Sequence, residues 1–195
     1  MLKSCDIAKK ILIIGGESAG KTTLTENLIH HFRNKGYHAK FLHEHGRHIC
    51  EKAGGVDHMD EDDYIEILCR TYMDINALEK ESEILVVDTD FITTKFYAGL
   101  SNLSDRNKRD ISSLADYFSQ KMRYDLVIIL GISGIIYVQD GLRLEKIRRK
   151  RKVYHQELCE LHQHYFDKFK TVFVNETDWK KRTDQAIEEI GNLMG

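Results

Sequence analysis

Gly15-Gly16-Glu17-Ser18-Ala19-Gly20-Lys21-Thr22 fits G-x-x-x-x-G-K-[ST] and follows directly on an apolar run, Ile11 to Ile14. Such a run ahead of a glycine turn reads as a buried strand, so the local order is strand, loop, helix. The glycines let the backbone wrap closely around phosphate oxygens. The successive N–H groups and the positive end of the next helix attract the anion, and Lys21 adds a mobile charge. Thr22 supplies a hydroxyl for magnesium. The expected nucleotide contacts are therefore Gly15, Glu17, Ser18, Ala19, Gly20, Lys21, Thr22 and Thr23.

The whole chain narrows the alternatives. Its 195 residues suffice for one domain with a full core, and the expectation is a single domain over residues 1–195. With 29 basic residues against 31 acidic ones the net charge is -2, so no global field draws the chain to nucleic acid or to a membrane surface. Any anion site must be local. Cys5, Cys50, Cys69 and Cys159 form no C-x-x-C pair, which argues for reduced thiols in a cytoplasmic protein rather than for a disulfide framework or a zinc knuckle. Residues Met1 to Lys10 carry charges where a signal peptide needs an apolar core, and no apolar run approaches the ~18 residues of a membrane helix.

Taken in order, Thr23 to Lys35 has helical apolar spacing at Leu24, Leu28, Ile29 and Phe32, and Gly36 stands where a C-terminal cap belongs. Ala39 to His43 reads as a second strand, followed at once by Glu44-His45-Gly46-Arg47. Strand ends line the ligand crevice in an open α/β sheet, which places Glu44 and Arg47 toward a substrate. Cys50 to Glu83 reads as helical with a break at Gly54-Gly55, and the acidic run Asp60 to Asp63 suits a helix N-terminus. Ile84 to Val87 is a third strand, ending in Asp88-Thr89-Asp90. An acid at a strand end beside a phosphate loop is what magnesium-dependent phosphoryl transfer requires. Helices are expected over Phe91 to Leu100, Asp105 to Met122, Val153 to Phe169 and Thr177 to Met194, with strands at Leu126 to Leu130 and Thr171 to Val174. Alternating strands and helices argue for a parallel sheet.

Three groups of residues admit more than one reading. The basic segment Lys146 to Lys152, with Arg148, Arg149 and Arg151, is a lid over a triphosphate, a solvated helix face or a nucleic-acid patch; its position after the fourth strand favours the lid, spanning about 141–153. His43, His45 and His48 form H-x-H-x-x-H, but no cysteine or distant histidine pair completes a zinc site. Asp88 is read as a magnesium ligand in preference to a helix cap, whereas Asp90 fits either role.

Together GGESAGKTTL, the EHGR segment, DTDFITT and V-x-D-G-L-R resemble the ribosylnicotinamide kinase domain of the NadR type over about residues 11 to 155. The resemblance implies an α/β, P-loop NTPase-type three-layer sandwich with a five-stranded parallel sheet in the order 2-3-1-4-5 and an Arg-rich lid. It implies transfer of the ATP γ-phosphate to the 5′-hydroxyl of nicotinamide riboside, with ATP and Mg2+ as cofactors and no nucleic-acid or membrane partner. Thr22 and Asp88 would hold the metal. Lys21, Glu44, Asp90 and Arg143 would carry the chemistry, and Glu44, Arg47, Asp90, Tyr137 and Asp140 the substrate. Glu44 and Asp90 both remain candidates for accepting the hydroxyl proton. The family's Pro-Trp pair ahead of D-G-x-R is replaced here by Ile136-Tyr137, and no H-x-G-H signature of a nucleotidyl transferase occurs, so the product expected is the mononucleotide. A kinase for another nucleoside or nucleoside monophosphate, or an ATP-binding switch without kinase activity, are the rival expectations.

Overall fold

β1 (Lys9–Ile14) runs through the middle of a five-stranded sheet in the computed structural model, which describes residues 8–138 and 149–195. It pairs with β3 (Ile84–Asp88) on one side and β4 (Leu126–Leu130) on the other. β2 (Ala39–Leu42) lies outside β3 and β5 (Thr171–Val174) outside β4, every pairing being parallel. The order β2-β3-β1-β4-β5 is the one implied by the resemblance.

Side chains alternate across a strand, so the central strands feed two cores at once. Leu12, Ile14, Leu85, Val87, Val127 and Ile129 face one layer. That layer is built from α2 (His45–Ala53), α3 (Glu61–Glu79), α4 (Phe91–Leu100) and α5 (Asp105–Lys121). Ile11, Ile13, Ile84, Val86, Leu126 and Ile128 face the other, against Leu24, Leu28, Ile29 and Phe32 of α1 (Lys21–Asn34) and Ala186 and Ile190 of α7 (Trp179–Met194). Burying each such aliphatic side chain contributes roughly 1.5–3 kcal/mol, so this double-sided burial is the main cohesive term of the three-layer α/β fold. Among the described residues no helix is long and apolar enough to cross a membrane.

Local signals account for most boundaries and correct some. The acidic run is a cap: Asp60 accepts from Asp63 N at 3.1 Å, while Asp63 accepts from Asp60 N at 3.0 Å. α2 opens at His45, ahead of the expected Cys50, and ends at Gly54, whose φ of 86° is a left-handed cap. α6 (Arg151–Tyr165) starts two residues before the expected Val153 and stops four short of Phe169, because Phe169 N closes a turn onto Phe166 O at 3.0 Å. α7 begins at Trp179 rather than Thr177 because Asp178 accepts from Lys181 N at 2.9 Å and caps it. The segment Asp140-Gly141-Leu142-Arg143 and the residues Lys146 and Arg148 lie outside the described residues.

Candidate active site

β1 and β3 end side by side, Ile13 being in register with Asp88, so the glycine loop and Asp88-Thr89-Asp90 share the carboxyl edge of the sheet. The loop turns through left-handed backbone at Ser18 (φ 56°) and Gly20 (φ 83°). A non-glycine residue there is strained, and strain of this kind persists where the surroundings hold it, commonly at functional sites. Lys21 Nζ donates to Gly15 O at 3.2 Å, which folds the ammonium back over the loop. Behind the loop, Arg182 is fully buried and donates to Ala19 O (2.6 Å), Gly131 O (2.9 Å) and Glu176 O (2.9 Å). Its guanidinium lies 5.3 Å from the Trp179 ring. Trp179 in turn covers Gly20, where a Cβ would fall 2.3 Å from ring carbons.

At the start of α1, Thr22 Oγ1 donates to Asp88 Oδ2 at 2.9 Å, and Asp88 is 3% exposed. A hydroxyl and a carboxylate beside a phosphate loop form a hard oxygen donor set, and Mg2+ typically takes one or two protein oxygens with phosphate and water supplying the rest. The residues present therefore fit that ion. Among the described residues, no group of three or more His, Cys, Asp and Glu side chains could hold a metal, and His45 Nε2 lies 2.9 Å from Asp74 Oδ2.

A cavity open to solvent adjoins the loop. Lys21, Glu17, Glu44, Arg47, Asp88 and Asp90 line its polar side, and Cys50, Val56, Met59, Tyr64 and Ile67 its apolar side. Glu44 precedes α2 and Arg47 lies in its first turn, so one helix start places both. Burial pushes the Tyr64 hydroxyl up to about 12, so it stays protonated at neutral pH. The chain bends sharply at Thr89, whose φ of 75° is rare for a β-branched residue, and this bend separates the two acids.

Asp90 fills the helix-cap role. Its Oδ1 accepts from Thr93 N at 3.1 Å, which caps α4, and from Thr93 Oγ1 at 3.0 Å. His162 Nε2 lies 2.8 Å from the same oxygen, both side chains being 0% exposed. Burial alone would raise the Asp90 pKa, yet the His162 charge and the hydrogen bonds from His162 and Thr93 hold it below the ordinary carboxylate value. Oδ2 is buried and bonded to no group among the described residues, on a residue that lines the cavity.

Other expected residues are placed elsewhere. Tyr137 does not line the cavity; its hydroxyl donates to Glu17 Oε2 at 3.0 Å and its ring lies 5.5 Å from the Arg151 guanidinium. Arg151 donates to Glu17 O (3.1 Å), Ser18 O (3.3 Å) and Ile135 O (2.8 Å), so the described end of the basic segment rests on the phosphate loop. Asp140, Arg143 and Arg148 lie outside the described residues, and Arg149 is exposed.

Three residues at the site escape a reading of the sequence. His155 Nδ1 accepts from Gly16 N at 3.0 Å; burial pushes its pKa down, and the charges of Arg151 and Lys21 act the same way, leaving a neutral ring that can accept. Its position one helical turn after Arg151 is the available signal. His162 sits in register with Leu158 and Phe166 and reads as core, while Arg182 reads as a solvated residue of an amphipathic helix.

The AAA domain family model matches residues 10–182. The trifunctional NAD biosynthesis/regulator protein NadR of Salmonella typhimurium is 29% identical over 191 residues, covering 96% of this chain and 43% of that protein. The chain thus spans less than half the length of the curated relatives it matches. A crystal structure of NadR protein in complex with NR is similar with a TM-score of 0.76 and 27% identity, covering 95% of this chain and 51% of the other. NadR protein in complex with NAD and AMP-PNP gives a TM-score of 0.72 and 25% identity, covering 95% and 49%.

Proposed function

Because the chain belongs to the AAA domain family and is similar to NadR along nearly its whole length, we propose that it is an ATP- and Mg2+-dependent nicotinamide riboside kinase. The reaction transfers the ATP γ-phosphate to the riboside 5′-hydroxyl and gives nicotinamide mononucleotide and ADP. The observation that carries this reading is the pair Asp88 and Asp90 on one strand end, the first on Thr22 beside the phosphate loop and the second on the adjoining cavity.

Phosphoryl transfer of this type proceeds through a loose transition state, so positioning and charge neutralisation do most of the work. The loop from Gly15 to Thr22 holds the phosphates, and Lys21 swings from Gly15 O onto them. Thr22 and Asp88 hold Mg2+, which neutralises phosphate charge when bound. Glu44 and Arg47 line the acceptor side, and Asp90 Oδ2 receives a hydroxyl of the sugar. The apolar side, from Val56 to Ile67, takes the base ring. Arg151, already on the loop carbonyls of Glu17 and Ser18, is the lid arginine among the described residues.

A kinase for another nucleoside is the second reading, favoured by Tyr137: it replaces the family tryptophan and is bonded to Glu17 instead of lining the cavity. The test is a screen of purified chain with ATP, Mg2+ and nicotinamide riboside, thymidine, deoxycytidine or their monophosphates. The riboside is expected to give the highest kcat/KM. Equal or better turnover of a competitor supports the second reading, and ATP binding with slow hydrolysis but no phosphorylated nucleoside makes the chain a switch.

A further inference from the structure

Asp90 lies in the cavity wall, and its two carboxylate oxygens are treated differently by the fold. Oδ1 is met by Thr93 N, Thr93 Oγ1 and His162 Nε2 at 3.1, 3.0 and 2.8 Å. Oδ2 has no hydrogen-bond partner among the described residues although it is buried. Thr93 belongs to the same helix turn as Asp90. His162 comes from α6, 72 residues away. Its ring is fixed at both ends, because Nδ1 lies 2.7 Å from Leu158 O one turn back on its own helix, and Phe166 packs beside it with ring centroids 5.8 Å apart. A carbonyl only accepts, so Nδ1 donates there, and Nε2 faces a carboxylate; doubly protonated imidazole satisfies both.

The fold does not require this pair. Capping α4 needs only Asp90 and Thr93, and apolar side chains of similar volume would fill a buried site at least as well as an ion pair. We infer that His162 is a positioning residue for the phosphoryl acceptor: it clamps Asp90 Oδ1 so that the carboxylate is held at a fixed place in the cavity wall, where it accepts from a sugar hydroxyl. His162 touches no substrate. The inference rests on the nucleoside-kinase reading of the cavity. It also gives α6 a second task, since Arg151 and His155 at its start hold the phosphate loop while His162 holds the acceptor acid.

The test compares His162→Leu, which keeps bulk and removes both donors, with His162→Gln, whose amide can donate to Asp90, in full-length protein. Loss of one hydrogen bond to a charged group predicts a KM for nicotinamide riboside raised by about tenfold to a hundredfold in His162→Leu. The KM for ATP and the ATP-binding affinity should stay at wild-type values, and His162→Gln should recover most of the loss. Unchanged riboside KM in a folded His162→Leu protein overturns the inference, as does an equal loss in riboside and ATP parameters. A second readout needs neither turnover nor a folded variant: the 15N spectrum of the wild-type histidine ring should show both nitrogens protonated, and an unprotonated Nε2 overturns the clamp. If the wild-type chain phosphorylates no nucleoside while the ring spectrum shows the clamp, the kinase reading fails and the His162–Asp90 geometry stands.

Discussion

At Lys21 and Asp90 chemistry and stability separate. Lys21 is half-exposed and, among the described residues, its Nζ holds only the Gly15 carbonyl, so Lys21→Ala should leave the melting temperature within a few degrees of wild type while turnover is lost. Thermal melting and a product assay on one preparation check both halves. Asp90 behaves oppositely, because removing one partner of a buried pair strands the other; Asp90→Asn should cost about 3–5 kcal/mol at neutral pH. The pH dependence has a definite sign. The folded pKa of Asp90 lies below its unfolded value of about 3.9, so its stabilisation is fully present above that value and is lost as pH falls through the folded pKa. Urea midpoints measured downward from about pH 6 should therefore fall less steeply below about pH 4 in Asp90→Asn than in wild type. An identical acid limb in the two proteins would contradict this assignment.

Among the elements, α7 shows how a helix supports a loop it does not belong to. Arg182 gives donors to Ala19, Gly131 and Glu176 carbonyls, so Arg182→Ala removes three hydrogen bonds at once, the one to Ala19 being buried. The expected cost is about 3 kcal/mol or more in denaturant unfolding, with weaker ATP binding. Arg182→Lys should rescue little, since an ammonium cannot reproduce the planar fork. The same element explains what a sequence can and cannot disclose. β1, β3 and β4 are legible because they are apolar on both faces, and the phosphate loop, Thr22 and Asp88 because their spacing is local. Arg182, His155 and His162 are not legible, since their partners Ala19, Gly16 and Asp90 lie 163, 139 and 72 residues away. Nor is the start of α6, where Arg151 and Lys152 look like a continuing charge run until Arg151 is seen to be spent on the loop.

In the molecule as a whole, the sheet order puts the phosphate loop and the acids of the cavity on neighbouring strand ends. β1 delivers the phosphate loop, β3 delivers Asp88 and Asp90, and β2 leads into Glu44 and Arg47, so the three strands β2-β3-β1 present one continuous edge. α6 spans both sites from behind the cavity wall. A net charge of -2 leaves attraction of ATP to this local arrangement rather than to a general field. The most direct measurement is product stoichiometry: purified chain incubated with ATP, Mg2+ and nicotinamide riboside, with nicotinamide mononucleotide and ADP quantified together. Equal amounts of the two, abolished by Lys21→Ala and by Asp88→Ala, is the predicted result; ADP released without nicotinamide mononucleotide would contradict it.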